Sequence, residues 1–153
     1  MPIKNYTSQV PVNRSVSHIQ DRLVGCGAKS IVTEYDQKCL SSLAFIMDVA
    51  GREIPFRLPS RVDRVEKRLR SLVSRPRAGT LQRIRDQAAR TAWRILSDWV
   101  DIQMSLIELD QAEFMEIFLP YVFDPASNQT FFERAKTGGF AMLGYSPEKK
   151  GAL

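Results

Sequence analysis

The sequence predicts an α+β fold: a small antiparallel sheet with one N-terminal helix, followed by a helical bundle built on one long helix. Three observations carry this. Apolar residues alternate with period two between residues 30 and 58, the period switches to 3.6 after Pro59, and about 30 residues from Thr80 contain neither proline nor glycine. At 153 residues the chain has the length of a single domain. Residues 10–59 supply the first helix and the strands, 60–135 the helical part, and the polar tail 145–153 is expected to be mobile.

The first helix is read from "VNRSVSHIQDRLVGCGAK", where Val16, Ile19 and Leu23 stand at helical spacing. Ser15 or Ser17 can cap its start, with Gln20 completing a capping box to Ser17, and Gly25 and Gly27 stop it. Three strands follow in "SIVTEYD", "LSSLAFIMDV" and "REIPFRLP", with Leu43, Phe45, Met47 and Val49 on one face. Ala50-Gly51 suits a tight hairpin between the last two. Pro55 cannot donate a ladder hydrogen bond, so its strand belongs at an edge or contains a bulge.

After Pro59, Ser60 is the expected cap of a helix ending near Ser74, with Val62, Val65, Leu69, Leu72 and Val73 as its apolar stripe. "SRPRAGT" is a loop. The long helix opens at Thr80 and steps through Ile84, Ala88, Ala92, Ile95, Trp99, Ile102, Leu106 and Leu109, flanked by a second row of Trp93, Leu96, Val100 and Ile107. Trp99 should be buried in this arrangement. Asp110 with Glu113, and Thr130 with Glu133, have capping-box spacing before two shorter helices, the second closed by Gly138-Gly139.

Charge is divided along the chain. The net charge is +5, but residues 52–94 carry 13 basic and 4 acidic side chains, whereas 95–135 carry 8 acidic side chains against Arg134. Arg61, Arg64, Arg68 and Arg75 fall in one quadrant of a helical wheel, with Arg77 beyond them and Arg83 and Arg90 on the long helix. Guanidinium groups clustered by face are what a phosphate-binding surface needs, because each neutralised phosphate releases condensed counterions. The same arginines also fit a solvated helix face, with Asp86–Arg90 and Arg94–Asp98 as i,i+4 pairs, or a surface for an acidic protein.

The long helix is basic at its start and acidic at its end, against its macrodipole. A second copy laid antiparallel would bring Arg83, Arg90 and Arg94 near Glu108, Asp101 and Asp98. A homodimer through Arg94, Asp98, Asp101 and Glu108 is therefore a further expectation. Trp93, Phe118, Tyr121 and Phe123 are aromatic residues that could stack bases or fill the core.

Catalysis has little support. His18 reads as a surface residue. Asp98 and Asp101 are the sole reason to consider a magnesium-dependent nuclease. Cys26 and Cys39 read as reduced thiols serving as small core residues, and no metal or cofactor is expected. Without an apolar run of about 20 residues or a signal-peptide core in "MPIKNYTSQVPV", the expected location is the cytoplasm, with no membrane partner.

The segment "QAARTAWRILSDWVDIQMSLIELDQAEFMEIFLPY", and more weakly "VPVNRSVSHIQDRLVGCGAKSIVTEYD" and "IPFRLP", resembles a widespread uncharacterised family of small phage and prophage proteins. The resemblance brings no catalytic residue. It implies a phage setting among genes of DNA metabolism, hence the cytoplasm of a bacterial host. Two functions follow: an accessory protein that binds nucleic acid in phage replication or recombination, or a dimeric module that binds and modulates a host or phage protein.

Overall fold

The computed structural model describes residues 3–144; the expectation for the tail 145–153 lies outside them. Its elements run α1 (Val12–Gly25), β1 (Ser30–Asp36), β2 (Cys39–Val49), β3 (Arg52–Pro59), α2 (Val62–Ser71), α3 (Thr80–Glu108), α4 (Phe114–Phe118), β4 (Phe123–Asp124), β5 (Gln129–Thr130) and α5 (Phe131–Thr137). Single 3-10 turns lie at Leu119–Tyr121 and Ala141–Leu143. The α+β class and the long helix, 29 residues, are as the sequence implied.

Strands β1, β2 and β3 form an antiparallel sheet in sequence order. The β2–β3 turn places Ala50 at φ 52° and Gly51 at φ 78°, the twin left-handed residues of a hairpin turn. Pro55 faces Ile46 on β3, an edge strand of this sheet, where a missing donor breaks no ladder. Side chains alternate across the pleat, so Leu43, Phe45, Met47, Phe56 and Leu58 share the inner face and are buried. Val16, Ile19 and Leu23 of α1, Trp93, Val100 and Met104 of α3, and Phe118 of α4 close the same core. Phe45 and Phe56 stack at 5.1 Å, and Phe118 meets them edge-on at 6.1 and 6.4 Å.

Several local expectations are corrected. Helix α1 begins at Val12 behind Pro11, whose extended conformation starts the turn. Ser15 is consequently buried inside the helix and caps nothing, and Ser17 likewise lies within it. Ser60 donates its hydroxyl to the Ser41 carbonyl at 2.8 Å, so the residue preceding α2 is Arg61, in the left-handed conformation at φ 54°. Because α2 ends at Ser71, Leu72 and Val73 leave its apolar stripe and are exposed.

On α3 the core takes the row Trp93, Val100 and Met104, with Leu96 and Ile107 packed partly against it. From the expected principal row, Ile102 is 58% and Leu109 71% exposed. Trp99 is only partly buried, against Phe118 at 5.6 Å and Tyr121 at 5.7 Å. The expected row holds at its start, where Ala88 and Ala92 are buried, and passes through the partly buried Ile95, Trp99 and Leu106; only Ile102 and Leu109 turn to solvent. The capping box before α4 is Glu113 with Glu116, one turn later than the expected Asp110–Glu113. Asp110 instead adopts φ 58° as the chain leaves α3. Cys26 is half-buried and Cys39 exposed, so the latter is no core residue. Thr130 caps α5 as expected, accepting from the Glu133 amide at 3.2 Å.

Helix α2 packs antiparallel on the first half of α3, whereas α1 and the sheet cover the second half. Glu66 meets Arg85 at 3.5 Å, and Leu69, Leu72 and Val73 line a groove with Thr80 and Ile84. Apart from Val62, helix α2 and the loop to Thr80 are not among the residues of the central core. The most basic part of the chain therefore forms a separate helical projection.

Candidate nucleic-acid interface

In α2 the residues turned to α3 are Val62, Val65, Glu66 and Leu69. With 100° per residue, Arg64, Lys67 and Arg68 must point away from α3. Each is exposed. Arg64 and Arg68 form a column one turn apart on this outer side, and Arg61, half-buried and left-handed, precedes the helix at its head. Arg75 and Arg77 extend the exposed cations into the α2–α3 loop, and Arg83 into the first turn of α3.

Among the described residues, Arg61, Arg64, Lys67, Arg68, Arg70, Arg75, Arg77 and Arg83 make no ion pair. Arg85, by contrast, is held by Glu66. The projection keeps an uncompensated positive charge, with Arg83 and Arg85 close to the positive end of the α3 dipole. Mutual repulsion there is relieved by any polyanion that binds.

Arg90 departs from this set. Its Nε donates to the Ser8 carbonyl at 3.2 Å and its Nη2 to Gln87 Oε1 at 2.7 Å. It holds the N-terminal segment to α3 and does not pair with Asp86, which accepts from Gln82 at 2.9 Å. The expected Arg94–Asp98 pair is present at 3.4 Å.

The carboxylates assigned to a second copy are matched within the chain. Asp98 takes Lys4 at 3.5 Å, Asn5 at 2.9 Å and Arg94. Asp101 takes His18 at 3.3 Å and Arg22 at 3.1 Å, and Glu108 takes Arg22 at 3.1 Å. Arg22 Nε is close to Asp101 without its N–H being aimed at the oxygen, whereas Nη2 donates to the Asp101 carbonyl at 3.3 Å. Helix α1 runs parallel to α3 and brings Arg22 to the acidic end that α3 itself leaves without a basic residue. The charge argument for an antiparallel dimer is thus answered inside one chain. The same pairings occupy the two aspartates considered for magnesium.

Elsewhere the electrostatics are structural. Partial burial would raise the Glu34 carboxyl, but hydrogen bonds from Arg57 and Ser42, with the Arg57 charge, outweigh it and hold the group below its usual range. Arg57 grips both Glu34 oxygens at 2.9 Å and lies 3.8 Å over the Phe123 ring. Burial, with the nearby Glu108 charge, pushes the Cys26 thiol up despite Arg22.

Against models of known families, curated proteins and solved structures, the chain finds no match.

Of the aromatic residues considered for stacking, Trp93 and Phe118 are fully buried and Phe123 lies under Arg57. Tyr121 is half-buried and lines a small cleft with Arg61 and Phe132. Besides Tyr6 and Tyr35, the exposed rings are Phe131, Phe132 and Phe140, and sequence reasoning passed over these three phenylalanines. Their one signal is the pair of phenylalanines directly after the Thr130 cap, since adjacent residues on a short helix cannot both face inward. No helix among the described residues is long and apolar enough to cross a membrane.

Proposed function

We propose that this protein binds nucleic acid without catalysing a reaction on it, through the exposed Arg64, Lys67, Arg68, Arg75, Arg77 and Arg83, with the half-buried Arg61 at their head. The observation that carries this reading is the set of exposed cations on the α2–α3 projection that no carboxylate neutralises. The resemblance to phage proteins suggests replication or recombination of phage DNA as the setting.

Five phosphate contacts predict that log K falls against log salt with a slope of about −4.5 on duplex DNA and about −3.5 on a single strand. Between 50 and 200 mM salt the affinity should therefore drop roughly 500-fold on duplex and 130-fold on single strands, by the same relation. Fluorescence anisotropy with labelled oligonucleotides measures it. Changing Arg64, Arg68 and Arg75 together to glutamate should abolish binding. Unchanged binding by that variant, or binding indifferent to salt, would reject the reading.

A second reading is favoured by the groove of about 570 Å³ between α2 and α3, where Leu69, Leu72, Val73 and Ile84 lie beside Arg83. An acidic amphipathic helix of another protein would match both its apolar floor and its charge. Leu72→Ser, which adds no charge, would weaken that contact and leave nucleic-acid affinity nearly unchanged.

A further inference from the structure

We infer that the cleft at Arg61 receives an unpaired base, making the nucleic acid a single strand; this rests on the nucleic-acid reading. The cleft holds about 190 Å³ and is lined by Pro59, Arg61, Pro120, Tyr121, Thr130 and Phe132. Its walls are therefore two aromatic rings and two proline rings, with one guanidinium and no carboxylate. Flat apolar walls beside a cation suit a nucleobase and its phosphate: the base stacks, and the arginine neutralises the backbone.

Much of the cleft is preformed. Tyr121 is braced by Trp99 at 5.7 Å and Phe118 at 6.3 Å. Thr130 is buried, its hydroxyl fixed by the Glu133 amide, and the Phe131 amide donates to the Val122 carbonyl at 2.7 Å. Phe132 forms the lip. It is 40% exposed and its ring is 6.0 Å from that of Phe140. Such an exposed aromatic edge is explained by no contact with the core.

Position joins the cleft to the basic column. Arg61 stands at the head of the line that continues through Arg64 and Arg68, and it lines the cleft as well. A strand whose phosphates follow the column arrives at the cleft with its next base free to enter. A duplex can offer its phosphates to the same arginines but keeps its bases stacked, so it gains nothing from Tyr121 and Phe132. Arg61 itself is left-handed at φ 54°, a conformation that glycine adopts more readily. Arg61→Gly consequently removes the guanidinium with the backbone at ease.

The test compares a labelled 15-nucleotide oligothymidine, the same strand with abasic sites, and a 15-base-pair duplex, all at 50 mM salt. Binding of oligothymidine should exceed that of the abasic strand and the duplex by about tenfold, the effect of stacking one base. Phe132→Ala should erase that difference and leave duplex binding alone. Arg61→Gly should weaken the oligothymidine more than the duplex, and it decides the matter if Phe132→Ala does not fold. Equal affinity for the three probes, with both variants changing them in parallel, overturns the cleft and leaves the basic column standing. Absence of binding to every probe overturns the nucleic-acid reading itself.

Discussion

Arg22→Met tests whether the acidic end of α3 is neutralised by its own chain. Arg22 has a side chain 25% exposed and bridges Asp101 and Glu108, the former through both its carboxylate and its carbonyl. A hydrogen bond to a charged group contributes about 1.5–3 kcal/mol when well shielded. Asp101 is 52% and Glu108 63% exposed, so screening brings each pair nearer the surface range of about 0.2–1 kcal/mol. The positive charge at the negative end of the α3 dipole adds about 0.3–1 kcal/mol.

Together these give about 2 kcal/mol for the substitution, methionine retaining most of the aliphatic packing. For a chain of this length that lowers Tm by about 4–8 °C. Urea unfolding followed by circular dichroism, at two protein concentrations a hundredfold apart, measures the loss. A coupling of about 0.5–1 kcal/mol should appear in a double-mutant cycle with Glu108→Gln. A change below about 0.5 kcal/mol, on the scale of an ordinary surface substitution, would refute the intramolecular account. So would a loss that grows with protein concentration, since Asp101 and Glu108 would then be meeting a second copy.

Other outcomes follow from the core and its margins. Because the Glu34 carboxyl is held below its ordinary value, its contribution to stability is complete above about pH 4.5 and declines as pH falls through the depressed folded value. Glu34→Gln should therefore flatten the acid limb of the stability profile, which urea titration between pH 3 and 7 would record. Cys39 should react with a thiol reagent well before Cys26, which is half-buried with its thiol pushed up, and mass spectrometry of a partly labelled sample would give the order. Trp93→Ala should cost about 3–5 kcal/mol in unfolding experiments. Trp93→Phe should cost much less, because it also removes a buried indole N–H that has no acceptor among the described residues.

The elements were legible because each rests on a local period. Alternation marked β2 and β3, the hairpin residues Ala50-Gly51 marked their turn, and an unbroken 3.6 repeat marked α3. Thr130 was readable as a cap for the same reason, its partner Glu133 being only three residues away. Where two local signals competed, the nearer rule failed. Ser60 has the chemistry of a cap, but its hydroxyl is held by Ser41 across the sheet, a contact between residues 19 apart.

The projection of basic charge was likewise visible as composition, yet its state was not. Sequence spacing offered Asp86 to Arg90 and offered Asp98, Asp101 and Glu108 to a second copy. The folded chain gives Arg90 the Ser8 carbonyl and gives those carboxylates Lys4, Asn5, His18 and Arg22. The cleft at Arg61 was still less accessible, being assembled from the end of β3, the turn after α4 and the start of α5.

Periodicity, caps and local charge were thus properties of the amino-acid order alone, since helices and strands depend on neighbours three, four or two positions apart. Which row of α3 faces inward, which arginines stay unpaired, and where aromatic rings meet a guanidinium were decided only in three dimensions. Ion pairs and clefts join residues tens of positions apart, and burial depends on which surfaces the whole chain can cover at once.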